Sequence, residues 1–540
     1  YGDHRDLHLS IRRQRQMCIR DSYHADWRSL ALLIRSCRNG TRPESGFSSG
    51  WSLRTGVMMI RLIVILGLCI VVLIVFLIVR RRALPSTTRG MKQYAQDPAR
   101  MAEVGRQFEE RERLNARAHT LSDAELQAGV EALLSGDAYW MHIFEKVGPR
   151  VRPFLLRALT DPRCDSSAAS EVLKGPTIFE AVTRSLASLG SAEVIPALEP
   201  WRTSDDERKR QHAYLCISMT GVPEAVAATR LGLHSQHESD RSYTCMGIEW
   251  AAKYEHVSPA FRDAISQELE LLATGEPPFL TRGDGRLCTT FAKLNPSHAL
   301  EVLASPRVLH LENPLLSDVL KTLNEHNVTL PSATVRTILD RAKSEPEYPW
   351  TYVRAEALVA LARVSPAEAR SEIDEALTTD DARVRTGAVD ALRALLDLPD
   401  PYDLFPEDEP FESLPRPVQH VVAAVEFQGE VNNGGVSQYF FNSAGDHWPV
   451  ALEGFKEMGA AYCVEMLETS TRFLGATGAS MSRDKRIKAY ARLSDEREKL
   501  LDDLSSRFYD DPDRFDELVV MYMARHAEIM KAAARHTKAE

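Results

Sequence analysis

Two glutamates and two histidines have the clearest chemical potential in this sequence. Glu426 and Glu430 are four residues apart, so a helix would place both carboxylates on one face. His420 and His447 lie close to them along the chain. Carboxylate oxygens and imidazole nitrogens bind divalent metal ions, and a metal with an open coordination position can activate water. Metal-assisted hydrolysis is therefore one hypothesis, although the spacing matches no established ligand motif.

The same two glutamates have a structural interpretation, as helix caps or buried partners of the glycine turn that follows them. Nucleophile-elbow, Walker, Rossmann and H-E-x-x-H patterns are all absent from the sequence. We therefore predict a protein that is not an enzyme and that uses no metal or cofactor.

The stretch from residue 426 to 445 is the most distinctive in the chain, and it reads E-x-x-x-E-V-N-N-G-G-x-x-Q-Y-F-x-N-S-x-G. A preceding helix, Val418–Val431, should end at the two asparagines, because the glycines can adopt positive φ and cap it. The residues of this motif with a structural or partner-binding role are Glu426, Glu430, Asn432, Asn433, Gly434, Gly435, Gln438, Tyr439, Phe440, Asn442 and Gly445.

Within the motif, Asn432, Gln438 and Asn442 are expected to hydrogen-bond the backbone of the turn. Residues 438–442 should form a short aromatic helix whose rings pack into the core. Further helices are predicted at Trp448–Met458, Ala460–Leu474, Asp484–Phe508 and Asp513–Lys531.

Together with A-L-E-x-x-x-x-M-G-A-A at Ala451–Ala461, the motif resembles the small all-helical domain of the DNA-mimic protein family. The founding member of that family is an acidic bacterial protein that sequesters a transcription factor. The resemblance covers about residues 415–532 and implies a helical, protein-binding domain with an acidic surface. Candidate phosphate mimics are Asp502, Asp503, Asp510, Asp511, Asp513, Asp516 and Glu517. Such a charge run is usually only solvated surface, so mimicry and ordinary protein binding both stay open.

Residues 139–398 consist of short amphipathic helices separated by polar or proline-containing breaks. The segment VRAEALVAL at Val353–Leu361 recurs as VRTGAVDAL at Val384–Leu392, 31 residues later. A weaker match relates Asp206–Arg208 to Ser239–Arg241, about 33 residues on. Two-helix units of this size bury their apolar faces by stacking on their neighbours.

This pattern resembles the HEAT-like repeats, particularly the short kind of phycobilisome-lyase-type proteins. The resemblance implies an α-solenoid with a long binding surface and usually no chemistry of its own, with irregular units between Thr274 and Glu347. Residues 83–138 should form a linker and charged helices, with a helix over Arg100–Ala118 and a capping box starting at Ser122. An acidic, proline-rich linker, residues 399–417, leads to the C-terminal domain, residues 418–535.

An apolar run of eighteen residues, Leu62–Val79, lies near the start of the chain. As a helix it would be about 27 Å long, close to the ~30 Å hydrocarbon core of a bilayer. Arg61 precedes the run and Arg80–Arg82 follow it, which predicts that the rest of the chain is cytoplasmic. A cleaved signal peptide is the alternative, but arginines occupy the place of a small-residue cleavage site. We therefore predict a single-pass membrane anchor within residues 58–82.

Charge and cysteine content limit the remaining possibilities. Residues 1–57 carry +5, and RRQRQMCIRDS at Arg12–Ser22 resembles a translated sequencing-adapter peptide, so this segment is predicted to be non-native or disordered. Residues 401–540 carry −9, which argues against direct nucleic-acid binding. The eight cysteines form no C-x-x-C pair and should be buried core residues. The overall expectation is an all-α, membrane-anchored scaffold that binds unknown protein partners.

The anchor makes a direct prediction about fractionation. A spanning helix is held by its buried apolar surface, which alkaline extraction does not disrupt. The natural protein should therefore stay in the membrane pellet after a carbonate wash, whereas a variant that lacks Leu62–Val79 should move to the supernatant. Release of the intact protein would contradict the prediction.

Overall fold

The computed structural model describes residues 97–165, 176–254, 256–275, 286–405, 410–474 and 482–538. Every regular element in these ranges is helical, as the all-α prediction requires. The predicted anchor Leu62–Val79 and the segment 1–57 lie outside the described residues. Within the part that is described, no helix combines the length and the apolar character needed to cross a bilayer.

The chain divides into a central unit, Glu103–Asp397, and a C-terminal unit that includes Leu398–Glu540. The helices up to the end of the central unit are α1 Pro98–Ala116, α2 Asp123–Leu134, α3 Trp140–Val147, α4 Arg152–Ala158, α5 Ile178–Ser188, α6 Ile195–Arg202, α7 Glu207–Met219, α8 Val226–Leu233, α9 Glu238–Lys253, α10 Pro259–Thr274, α11 Arg286–Leu294, α12 Pro296–Leu303, α13 Leu316–Glu325, α14 Ser332–Ser344, α15 Trp350–Val364, α16 Pro366–Leu377 and α17 Ala382–Leu395. The capping box predicted at the start of α2 is present, since Ser122 and Glu125 exchange side-chain to backbone hydrogen bonds.

Packing in the central unit skips every second helix. From α3 to α17, each odd-numbered helix packs on the next odd-numbered one, and α8, α10 and α12 form a second row. Each helix also packs on a neighbour in the chain, as in α7 with α8 and α15 with α16. Serial stacking of helix pairs produces this pattern. The arrangement is compatible with the predicted solenoid, while the HEAT-like type of the repeats stays a prediction.

The loops before successive odd-numbered helices share one device. Arg210, Arg241 and Arg385 each occupy the fourth position of their helix. Each donates from Nη1 to the backbone carbonyl six residues earlier, at 3.0, 2.6 and 2.8 Å respectively. Because α7 and α9 begin at Glu207 and Glu238, their register is 31 residues. The spacing of about 33 residues inferred from acidic residues was therefore wrong by one helical half-turn.

The two best-matched segments, on α15 and α17, pack directly against each other. A Cβ atom at Gly387 would lie 2.4 Å from both Cα and Cβ of Ala355. The backbones can approach this closely only because one residue lacks a side chain and the other has a methyl group. The small residues of the repeat therefore set the separation of the two helices.

The C-terminal unit contains α18 Arg416–Phe441, α19 Trp448–Met458, α20 Ala461–Leu474, α21 Arg483–Tyr490, α22 Asp495–Phe508, α23 Phe515–Arg525 and α24 Ala527–Lys538. The predicted helix Asp484–Phe508 was wrong, because it is split before Ser494, whose side chain caps α22 by accepting from the Arg497 N–H. The predicted helix Asp513–Lys531 is likewise split, at His526, which has a φ of −120°. Within the predicted linker, Pro401–Leu404 forms a 3₁₀ turn that packs on α18 and α24.

The contact between α15 and α17 predicts an unusual sign for a glycine substitution. At an exposed helical site, Gly→Ala stabilises by about 1 kcal/mol. At Gly387 the added methyl overlaps Ala355, so Gly387→Ala should instead destabilise by roughly 1–3 kcal/mol. Hydrogen exchange of the α15 and α17 amides measures the effect. Thr386→Ala, at the exposed neighbouring position, is the control and should leave exchange unchanged or slower.

Candidate functional site

The glycine pair interrupts α18 as predicted. Gly435 has a φ of +79°, in the region that favours glycine, and the backbone at Gly434 is also non-helical. The N–H of Val436 donates to Ser505 Oγ at 3.0 Å, and a Cβ on Gly435 would lie 2.7 Å from the same oxygen. The kink is therefore tied to α22 by a hydrogen bond for which a side chain at Gly435 would leave little space.

Glu430 is the centre of the motif, with only 5% of its surface exposed. Its Oε2 accepts hydrogen bonds from Gln438 Nε2 and Asn442 Nδ2, both at 2.8 Å. The prediction that these two amides bond the turn's backbone was wrong, because the buried carboxylate offers a stronger, charged acceptor. We call Glu430, Gln438 and Asn442 the carboxylate clamp, since it joins the two halves of α18 across the kink.

The aromatic residues of the motif are core residues, as predicted. Tyr439 and Phe440 are fully buried. Tyr439 packs edge-on against Phe427, and Phe427 packs in the same way against Phe455 of α19. Asn432 is partly exposed and Asn433 is exposed, so they are the motif positions most open to a partner.

A buried arginine that the sequence analysis missed completes the motif. Arg486 of α21 is fully buried, and its guanidinium donates to the carbonyls of Phe440 at 2.8 Å and Asn442 at 3.0 Å. It also contacts Asp446 at 2.6 Å. These carbonyls end α18, where a cation is favoured by the helix dipole. The surrounding sequence, RDKRIK, is typical of a solvated face and gave no sign of burial.

Glu426 and His447 form a pair, as His447 Nδ1 lies 2.9 Å from Glu426 Oε2. The ring of Phe411 stacks on His447 with its centroid 3.8 Å away. Burial alone would lower the pKa of His447, but the hydrogen bond and charge of Glu426, with the charge of Asp446, outweigh it and raise the pKa. The pair is therefore an ion pair over a wider pH range than an isolated histidine would allow.

The four residues considered as a metal group are separated into three places. Glu430 belongs to the carboxylate clamp, and Glu426 pairs with His447. His420 lies elsewhere, with Nδ1 2.7 Å from the Tyr522 hydroxyl. Among the described residues, the group that can hold a metal is instead His420 with Glu453 and Glu457 of α19.

Most of the acidic residues proposed as phosphate mimics serve the fold. Asp513 accepts from the backbone N–H groups of Tyr462 and Cys463 at the start of α20, at 3.0 and 2.8 Å. The other internal contacts are Asp511 with the Phe515 N–H, Asp516 with Gln428, Glu517 with Arg514, and Asp503 with Lys499. Asp510 is exposed and Asp502 is partly exposed.

The described cysteines agree with the sequence prediction. Cys164, Cys216, Cys245, Cys288 and Cys463 are all unpaired and buried. Burial raises the pKa of Cys164 to about 11 and that of Cys216 to about 12. A thiol that is buried and protonated at neutral pH is a poor nucleophile, so these residues are core residues.

The fold and the motif define a small all-helical domain built around a kinked helix. Residues 412–526 match the family model of the DMP19-like proteins, which is a DNA-mimic family. The match identifies this part of the chain and leaves the central unit unassigned. No curated protein matches the chain. A crystal structure of an engineered protein is similar over 72% of this chain and 98% of its own, with 16% identity and a TM-score of 0.24, which supports no conclusion on fold or function.

The carboxylate clamp predicts the outcome of an isosteric substitution. Glu430→Gln keeps the shape but brings an amide N–H₂ toward two other amide donors, so a buried donor loses its acceptor. We expect a loss of about 1–3 kcal/mol in the free energy of unfolding of this domain, measured by denaturant titration. Glu465→Gln, at an exposed position of α20, is the matched control and should have little effect.

The pair of Glu426 and His447 predicts a pH dependence. Because the folded state raises the pKa of His447, the pair stabilises fully below the unfolded-state value of about 6.5, and this stabilisation is lost as pH rises through the folded-state pKa. His447→Gln should therefore destabilise the protein more at about pH 6 than at about pH 8.5. Glu426→Gln should reproduce this difference, and equal losses at both pH values would contradict the assignment.

Proposed function

We propose that this protein is a membrane-anchored scaffold that binds a protein partner through its DMP19-like domain. The match of residues 412–526 to a DNA-mimic family carries the proposal, since that family implies protein binding through acidic surface. The organisation of the motif supports it. Its polar residues are used to hold the kink and its aromatic residues are buried, so the motif builds a rigid domain with no arrangement for turnover.

The central unit is proposed as a second binding surface. Its helices stack in two rows, and a stack of this kind presents a long face for an extended partner. HEAT-like repeats are the proposed type, supported by the 31-residue match and by the arginine device repeated before α7, α9 and α17. Two surfaces on one chain would raise the effective concentration of whatever the first surface captures.

Anchoring and location are proposed from the sequence. The apolar run Leu62–Val79 and the arginines after it favour a single-pass protein with a cytoplasmic body. The buried, unpaired cysteines suit a reducing compartment. We propose no catalysis, because the Glu426 and Glu430 carboxylates are engaged in separate structural contacts, which removes the support for a hydrolase at that helix.

The partner most compatible with the chemistry is a basic protein. Residues 401–540 carry −9, and carboxylates on α22 and the turn after it, Glu496, Asp503 and Asp510, are exposed. DNA mimicry is the narrower form of this proposal and is favoured by the family match. In either form the protein would bind no nucleic acid itself, since phosphates are repelled by an acidic face.

A pull-down from membranes tests the proposal. With residues 83–540 as bait and chemical cross-linking, we expect a basic protein that elutes with rising salt, because exposed charges are screened. Replacement of Glu496, Asp503 and Asp510 by their amides should weaken binding on the order of tenfold, at up to ~1 kcal/mol for each exposed pair. The control replaces three exposed acids of the central unit, Glu224, Asp263 and Glu301.

The control variant should retain the partner as the wild type does. Equal loss in both variants would show that net charge alone, not the DMP19-like domain, attracts the protein. Duplex DNA added to the captured complex distinguishes the two forms of the proposal. Release of the partner by DNA supports mimicry, whereas retention supports a scaffold that uses another surface of the partner.

A further inference from the structure

A second polar cluster in the C-terminal unit lies apart from the motif. It contains His420 of α18 with Glu453 and Glu457, which are one turn apart on α19. One ligand-type atom from each residue lies within 4.8 Å of the others. The histidine side chain is 1% exposed, while the two carboxylates are 47% and 50% exposed. The cluster is therefore anchored in the core and open to solvent on one side.

Hydrogen bonds in the cluster indicate which histidine nitrogen carries the proton. The Tyr522 hydroxyl lies 3.1 Å from Glu457 Oε2, which can only accept, so the hydroxyl donates there. The same hydroxyl lies 2.7 Å from His420 Nδ1, and with its own proton used it accepts from Nδ1–H. This assignment leaves a lone pair on Nε2.

That nitrogen is the unusual feature. Nε2 of His420 is buried and has no hydrogen-bond donor or acceptor in suitable geometry among the described residues. Its nearest ionic neighbour is Glu453 Oε1 at 3.3 Å, and this oxygen is also an acceptor. Two acceptors that face each other at this distance are unfavourable unless a cation lies between them.

We propose that His420, Glu453 and Glu457 form a binding site for a divalent zinc-type metal ion. Zinc is bound by histidine nitrogen and glutamate oxygen at about 2.0–2.2 Å, so two ligand atoms on a tetrahedral ion are about 3.4 Å apart. The 3.3 Å between Nε2 and Glu453 Oε1 already matches this separation. Glu457 supplies the third ligand by a rotation of its exposed side chain.

Neighbouring groups give the site the support that metal sites require. Tyr522 fixes the histidine ring through Nδ1, as an outer-shell partner does for a metal-bound imidazole. Arg416 forms an ion pair with Glu453 and holds that carboxylate in place. Three protein ligands leave a fourth position for water or for a group of a bound partner. The site shares no residue with the acidic surface of the proposed function and does not depend on it.

Zinc titration of the full chain in mild detergent, after treatment with a chelator, tests the site. We expect one ion per chain, and Glu453→Gln with Glu457→Gln should weaken binding by more than about 100-fold, since even outer-shell partners contribute 10–100-fold. Both side chains are exposed, so the variant should fold as the wild type does. Tyr522→Phe removes only the positioning hydroxyl, and it should weaken zinc binding by roughly 10–100-fold.

The control is Glu468→Gln, an exposed acid on α20 that should leave zinc affinity unchanged. Cobalt as a probe identifies the ligands, because nitrogen and oxygen ligands give visible bands without the thiolate-to-cobalt band of cysteine. Absence of stoichiometric zinc in the wild type, wild-type affinity in the double glutamine variant, or a thiolate band would each overturn the proposal.

Discussion

The C-terminal unit depends on one buried carboxylate. Glu430 lies inside the core, where an uncompensated negative charge would be costly, and its burial requires donors from the second half of the same helix. Gln438 and Asn442 can reach it only because the chain kinks at Gly435. The kink in turn directs Tyr439 and Phe440 into the core. The spacing of the motif is therefore a consequence of satisfying a single charge.

A buried cation completes the same segment from the other side. Arg486 is fully buried and binds the carbonyls of Phe440 and Asn442, which the end of the helix leaves without partners. Residues 438–442 thus lie between an anchored carboxylate and an anchored guanidinium. Removal of either charge would leave the other segment's polar groups buried without partners, which costs more than the interaction itself contributes. This arrangement favours one well-defined conformation of the motif.

The sequence predicted those features that depend on local backbone and hydrophobic pattern. Helix α19, the capping box at Ser122, the break at the glycine pair and the burial of the aromatic run all follow from residues within one or two turns. It could not predict the partners of Glu430 or the role of Arg486, because those contacts join residues whose proximity is set by tertiary packing. The same limit explains why His420, Glu426 and Glu430, neighbours in the sequence, face three different environments.

The acidity of the C-terminal unit illustrates why charge composition alone is a weak guide to function. Asp511 and Asp513 are consumed at helix starts, where backbone N–H groups and the helix dipole favour carboxylates. Asp516 bonds Gln428 and so joins α23 to α18. A carboxylate held in this way cannot also approach a partner's cations without giving up its internal contact. Any surface that competes with DNA must therefore be built from the remaining exposed carboxylates, which makes the position of each acid, and not their sum, the property on which recognition depends.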